Sequence, residues 1–190
     1  MKTDFNKYRC LKSNHYNIDG YSIVPIRKSD MELIRQWRNE QIKILRQEIP
    51  ITKRRQKNYY RKIIKPLFNK EKPNKILFSY LLNGELIGYG GLTNIDWESK
   101  RAEISFLLKT SIVNNSEKYS KEFSIFLDFI KRLSFEEILF HKLFTETYDI
   151  RPVHINILEK NGFILEGRLK KHILIDGRYV DSLIHAFIRG

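Results

Sequence analysis

Asn83-Gly84 lies between two apolar runs, residues 76–82 and 85–92. Asn-Gly in that setting is the strongest short-range signal for a two-residue β-hairpin, because both positions must take left-handed backbone angles. The hairpin commits the middle of the chain to antiparallel sheet. Past a polar turn, Asp96-Trp97-Glu98-Ser99, residues 101–108 alternate with Ala102, Ile104, Phe106 and Leu108 on one face and Glu103, Ser105 and Leu107 on the other. The run is apolar enough to be covered on both sides, so three consecutive antiparallel strands form a sheet centre. Gly88, Gly90 and Gly91 in the second strand mark a bulge, or a place where another backbone or a ligand comes close.

Around this centre the pattern alternates. Residues 21–26 read as a short strand, with Pro25 favouring an edge or an end. Ser29-x-x-Glu32 forms a capping box for a helix carrying Met31, Ile34 and Trp37 at helical spacing. Residues 41–46 are ambiguous, and residues 52–67 form a second helix that Pro66 closes. Residues 109–116 read as a loop. The helix after it carries Tyr119, Phe123, Phe126, Leu127, Ile130 and Leu133 as one apolar stripe. Then come a strand at 142–148, a helix from Pro152 to Lys160 closed by Asn161-Gly162, and a hairpin of 169–175 with 179–188 joined by Asp176-Gly177. Residues 1–17 are polar and irregular, with Phe5, Tyr8 and Leu11 available for docking. The expected organisation is an N-terminal arm over 1–19 and one domain over 20–190, of α/β (α+β) class.

At 190 residues the chain has room for one well-buried core. Its single cysteine, Cys10, excludes an internal disulfide framework and a cysteine-rich metal site, so a reducing compartment is expected. With no run of ~20 apolar residues and no signal-like start, the expected location is the cytoplasm. The formal charge of +13 fits nucleic acid, an anionic surface or a polyanionic small ligand. The basic residues are spread along the whole chain. The densest group, Lys53-Arg54-Arg55-Gln56-Lys57 with Arg61, Lys62 and Lys65, points in several directions from a helix, which suits a solvated face better than a phosphate-tracking stripe. A nucleic-acid partner is therefore not expected.

Two features carry chemistry. Glu103 puts a carboxylate on a central strand; it is either paired with one of the many basic residues or held for proton abstraction, since burial disfavours the charged form and favours a base that works near neutral pH. Asn114, Asn115 and Ser116 precede Glu117 at a helix start, where free amides and the helix dipole attract anions. His172 and His185 have no second ligand at metal-binding spacing, and no metal is expected.

The order of elements, with Trp37-Arg38-Asn39 closing the first helix, Ala102-Glu103-Ile104 opening the central strand, and Leu158-Glu159-Lys160-Asn161-Gly162-Phe163 followed by Glu166-Gly167, resembles the GNAT superfamily of acyl-CoA-dependent N-acyltransferases over residues 20–188. It is similar in particular to the branch that acetylates protein N-terminal alanines and amino-sugar nucleotides. The resemblance implies the GNAT fold, a mixed, mostly antiparallel twisted sheet of six to seven strands flanked by about four helices. It implies direct transfer from acetyl-CoA to a primary amine, with Glu103 as base and Tyr148 and His154 as candidate proton carriers. Backbone groups of Phe106, Leu107 and Leu108 are expected to pair with the pantetheine arm. The family's glycine-rich diphosphate loop is replaced here by a glycine-free stretch, in which Asn114 and Asn115 are expected to adopt left-handed angles and form a nest with Ser116 and Lys118. The family's usual helix Asn and Ser fall at Arg151 and His154, and its usual acid Tyr falls at Leu158.

On the acceptor side the resemblance points to Trp37, Arg38, Arg46 and Gln47. Aromatic and arginine groups suit a nucleotide base and a diphosphate, although Trp37 also lies in the apolar stripe. The expected partner is a small-molecule amine, an amino sugar or its nucleotide. A protein or peptide N-terminus and a non-catalytic, anion-binding GNAT-like protein are the alternatives. A homodimer is compatible with the sequence, which leaves the oligomeric state open.

Overall fold

The computed structural model of the chain describes residues 6–45 and 47–190. Eight strands form one sheet in the order β1-β2-β3-β4-β5-β6-β8-β7. They are β1 (Tyr16–Ile18), β2 (Tyr21–Pro25), β3 (Ile76–Leu82), β4 (Glu85–Asp96), β5 (Arg101–Leu108), β6 (Lys142–Tyr148), β7 (Ile164–Ile175) and β8 (Arg178–Ile188). All neighbours run antiparallel except β5 and β6, which are parallel. The sheet thus has eight strands rather than six or seven. The added strand, β1, comes from within the expected arm, where Tyr8 and Leu11 also pack into the core. Phe5 lies outside the described residues. Tyr8 Oη donates to Leu77 O at 3.0 Å and accepts from Leu77 N at 2.9 Å.

The predicted Asn83-Gly84 turn forms with φ of 49° and 84°, the left-handed pair that the sequence implied. Gly90 explains itself by crowding: a Cβ there would lie 2.2 Å from Ser105 O and 2.7 Å from Phe126 Cζ. The close approach expected of this strand is made by the protein's own β5 and by the long helix beneath it.

Helix α1 (Met31–Glu40) buries Met31, Ile34 and Trp37. Its expected capping box does not form, because better partners compete. Asp30, at the N-cap, turns its carboxylate to Arg27 Nε (2.6 Å) and Ser79 Oγ (2.6 Å), while Glu32 pairs with Arg35 at 2.7 Å. The second helix starts at α2 (Lys53–Tyr59), widens through a π turn at Tyr60–Ile64 and ends in α3 (Lys65–Leu67). The widened turn directly precedes Pro66, whose ring crowds the carbonyl four residues back. The expected loop at 109–116 is mostly a helical turn, α4 (Thr110–Val113), leading into α5 (Ser116–Arg132). Helix α5 and α6 (Pro152–Lys160) pack on one face of the sheet around Phe123, Phe126, Ile157 and Leu158. Strand β7 begins at Ile164, earlier than expected, because its first half is exposed and carries no apolar alternation to read. No helix among the described residues is long and apolar enough to cross a membrane.

Candidate active site

Strand β5 pairs with β4 along its length, but with β6 only through Arg101–Lys142, Ala102–Leu143 and Glu103–Phe144. Past Glu103 the two strands part, while β6 stays paired with β8 as far as Tyr148. The gap is a cleft of about 270 Å³, and Glu103 sits where it closes. Lys109 N donates to Ile87 O on the β4 side at 2.8 Å. Backbone groups alternate along a strand, so those of Phe106 and Leu108 face the opened side and those of Leu107 face β4. Leu107 therefore offers no free backbone group to a cleft ligand. The Leu108 carbonyl already accepts from Gln41 Nε2 at 2.8 Å, which leaves Phe106 as the open pair.

Glu103 is 7% exposed, and its Oε2 accepts from Asn94 Nδ2 at 2.6 Å. Asn94 stands at φ 46° where β4 loses register with β5, and that bulge aims its amide at the carboxylate. The sequence reading missed Asn94; its only signal was an Asn, tolerant of left-handed angles, near a turn.

His154 and Tyr148 line the same cleft as Glu103. His154 is buried, its ring stacked on Phe123 at 4.4 Å, and Phe123 is stacked in turn on Phe106 at 4.5 Å. Its Nδ1 lies 2.6 Å from Tyr119 Oη, which also accepts from Arg151 Nη2 at 2.9 Å. The Tyr119 phenol and His154 Nδ1 share one short hydrogen bond whose direction follows the ring's tautomer. Burial first, then the Arg151 charge and His185, hold the His154 pKa well below the usual histidine value. The ring is neutral at pH 7. Leu158, where the family's tyrosine would stand, is fully buried and lines the cleft without a hydroxyl.

The expected asparagine nest does not form. Asn114 has φ −73° and Asn115 φ −116°, so neither is left-handed. Asn115 instead caps α5, its Oδ1 accepting from Lys118 N at 2.9 Å. That uses one of the first-turn amides and leaves those of Ser116 and Glu117 at the helix start, with the Lys118 side chain nearby in sequence.

On the acceptor side, Arg38 lines the cleft and donates to Gln47 Oε1 (3.0 Å) and Tyr89 Oη (2.7 Å). Gln47 holds Arg38 in place, and its Nε2 donates to Asn39 Oδ1 at 3.1 Å. Trp37 is 6% exposed within the core and lines neither the cleft nor the chamber beside it, so it is a packing residue rather than an acceptor wall. Arg46 lies outside the described residues. Among the described residues no group of three or more metal-binding side chains converges.

Comparison with known proteins agrees with this geometry. A family model described as "Acetyltransferase (GNAT) domain" matches residues 23–184. A curated relative, the SPbeta prophage-derived uncharacterized N-acetyltransferase YokL of Bacillus subtilis, is 26% identical over 100 residues, 53% of this chain and 55% of the relative. The match thus spans about half of the relative's length. The fold is shared with the spermidine N-acetyltransferase of Vibrio cholerae solved in complex with CoA and spermine (TM-score 0.78, 18% identity, 90% of this chain and 96% of that one). It is also shared with a dodecameric structure of a Vibrio cholerae spermidine N-acetyltransferase (TM-score 0.73, 20% identity, 90% and 95%). A family match over most of the chain, on a sheet that opens past a buried glutamate, makes this chain a member of the GNAT acetyltransferase family.

Proposed function

We propose that this chain transfers an acetyl group from acetyl-CoA to a primary amine by direct attack, and that the acceptor is an amino sugar or a nucleotide-linked amino sugar. The observation that carries this reading is Glu103, buried at the closed end of a cleft whose opened strand edge presents the Phe106 backbone. Acetyl-CoA supplies the acetyl group as a thioester. The cleft suits its pantetheine arm: Phe106 offers an unpaired strand edge, as in β-strand addition. The Thr147 hydroxyl also lines the cleft, buried and without a hydrogen-bond partner among the described residues. The start of α5, with the amides of Ser116 and Glu117 and the charge of Lys118, would face the diphosphate end.

An amine that arrives protonated cannot attack. Glu103 takes that proton, directly or through one water, with Asn94 fixing the carboxylate by its hydrogen bond. The Phe106 N–H is oriented to polarise a carbonyl seated against the opened edge. Tyr148 returns a proton to the leaving sulfur. His154, neutral and bonded to Tyr119, holds no extra proton to give and acts by positioning. Arg38, held by Gln47, borders the acceptor. The exposed Leu174 and Tyr179, paired across β7 and β8, give apolar surface that fits a homodimer contact.

The test is calorimetric titration with acetyl-CoA, followed by thiol release with amino-sugar nucleotides as acceptors. Micromolar binding with acceptor-dependent thiol release supports the proposal, and absence of acetyl-CoA binding removes it.

A further inference from the structure

Beside the cleft, between α1, α2 and the central strands, lies a second chamber of about 350 Å³. Arg38, Lys75, Thr93 and Ser105 line both spaces, so the two are continuous. Among the described residues, the charged side chains around this chamber are Arg38, Arg55 and Lys75, and no acidic residue lines it. Arg38 spends its hydrogen bonds on neutral partners, Gln47 and Tyr89, so its charge is not cancelled. Neither Arg55 nor Lys75 pairs with a carboxylate among the described residues. The rest of the wall is apolar and aromatic, including Ile34, Leu77 and Tyr59.

We infer that the acceptor carries an anionic group, a phosphate or a carboxylate, in addition to its reacting amine, and that this group is held in the chamber by Arg38, Arg55 and Lys75. The inference rests on the acetyl-transfer reading and narrows its substrate class. Three like charges converging on a partly enclosed space leave a positive potential that an anion relieves and a polycation worsens. Glu103 accepts the ammonium proton on the cleft side, while the cations hold the opposite end of the molecule. The two ends of the acceptor are thus told apart by charge. This arrangement disfavours a polyamine, with ammonium groups along its length, even though the fold is that of spermidine acetyltransferases.

Calorimetric titrations with glucosamine, glucosamine 6-phosphate and muramic acid test this, since all three share one amine and differ in having no anion, a phosphate or a carboxylate. Spermidine serves as the polycation, and each titration is run with and without CoA. At least one anionic sugar should bind about tenfold or more tighter than glucosamine, the scale of one charge-assisted contact. Which of the two gains distinguishes phosphate from carboxylate. Lys75→Glu and Arg55→Glu should each erase most of that advantage, and Arg55→Glu, which lies outside the cleft, should leave acetyl-CoA affinity unchanged. Glucosamine or spermidine binding as tightly as the anionic sugars, an advantage that survives both charge reversals, or no binding of any of the four overturns the inference. A wild-type chain that fails to bind acetyl-CoA in its own titration strikes the transfer reading instead, and the sugar titrations remain readable without it.

Discussion

His154 ties stability to pH in a way that a titration can read. In the unfolded chain a histidine gains a proton near pH 6.5. In the folded chain burial, reinforced by Arg151 and His185, holds this one neutral well below that. Between those two points the unfolded state binds one more proton than the folded state, so stability falls as the pH falls, with a limiting slope of about 1.4 kcal/mol per pH unit. For a chain of this size that is about 3–6 °C in Tm per pH unit. His154→Gln keeps a partner for Tyr119 and removes the titration. The assay is thermal or urea unfolding of both proteins from pH 7.5 to 5.0, because the difference between them cancels every group they share. The two should run parallel above pH 7 and diverge below 6.5, with the wild type losing ground. Curves that stay parallel to pH 5 would mean that His154 takes its proton in the folded state as readily as outside it. The assignment of proton donation to Tyr148 rather than His154 would then lose its basis.

Glu103→Gln should lower kcat by about 10²–10⁴-fold, the usual worth of a positioned base, with acetyl-CoA affinity retained in a parallel titration; lost affinity would place the carboxylate in cofactor binding instead. Gly90→Ala drives a Cβ onto Ser105 O and Phe126 and should cost about 1–3 kcal/mol or more; a wild-type urea midpoint would contradict the close packing of β4 on β5. Tyr8→Phe leaves the Leu77 N–H without its hydroxyl partner in a buried site and should cost about 1–3 kcal/mol in urea unfolding, whereas no change would mean that the Tyr8–Leu77 hydrogen bonds add nothing to stability.

What the sequence revealed about the fold was whatever local chemistry determines. Asn83-Gly84 and Asp176-Gly177 dictated their turns because few residues tolerate left-handed angles, and both pairs show positive φ. The bounds of β6 and α6 were readable because Pro152 can open a helix and Gly162 can close one. The errors came from competing partners, near and far in sequence, and from segments too short to read. The expected Ser29–Glu32 capping box did not form: Asp30 occupies the N-cap position with its carboxylate held by Ser79, 49 residues away, and Glu32 pairs with Arg35. Asn115 stayed out of the left-handed region because its side chain found the Lys118 amide. Strand β1 has three residues, too few for any periodicity to register. In the site, Glu103 stood out because a carboxylate on an apolar strand is unusual. Asn94, Lys75 and the Tyr119–His154 contact are ordinary residues that become informative only when the sheet brings them together.

The cleft itself follows from an imbalance of pairing. Strand β6 forms seven register pairs with β8 and three with β5, so its course is set from the far side, and β5 is free to part from it past Glu103. Beneath the opening, Phe106, Phe123 and His154 stack as a continuous wedge between β5 and α6, and a wedge of rings cannot be compressed to close the gap. The same packing that opens a strand edge to a ligand therefore buries His154 and keeps it neutral. On the proposed acetyl-CoA reading, a chain whose glycine-free α4–α5 junction forms no amide nest draws its binding free energy for that long, anionic cofactor from this edge and from the few first-turn amides of α5. On that reading the cleft carries more of the recognition than the loop does, and the rigid stack of rings beneath it keeps the edge open.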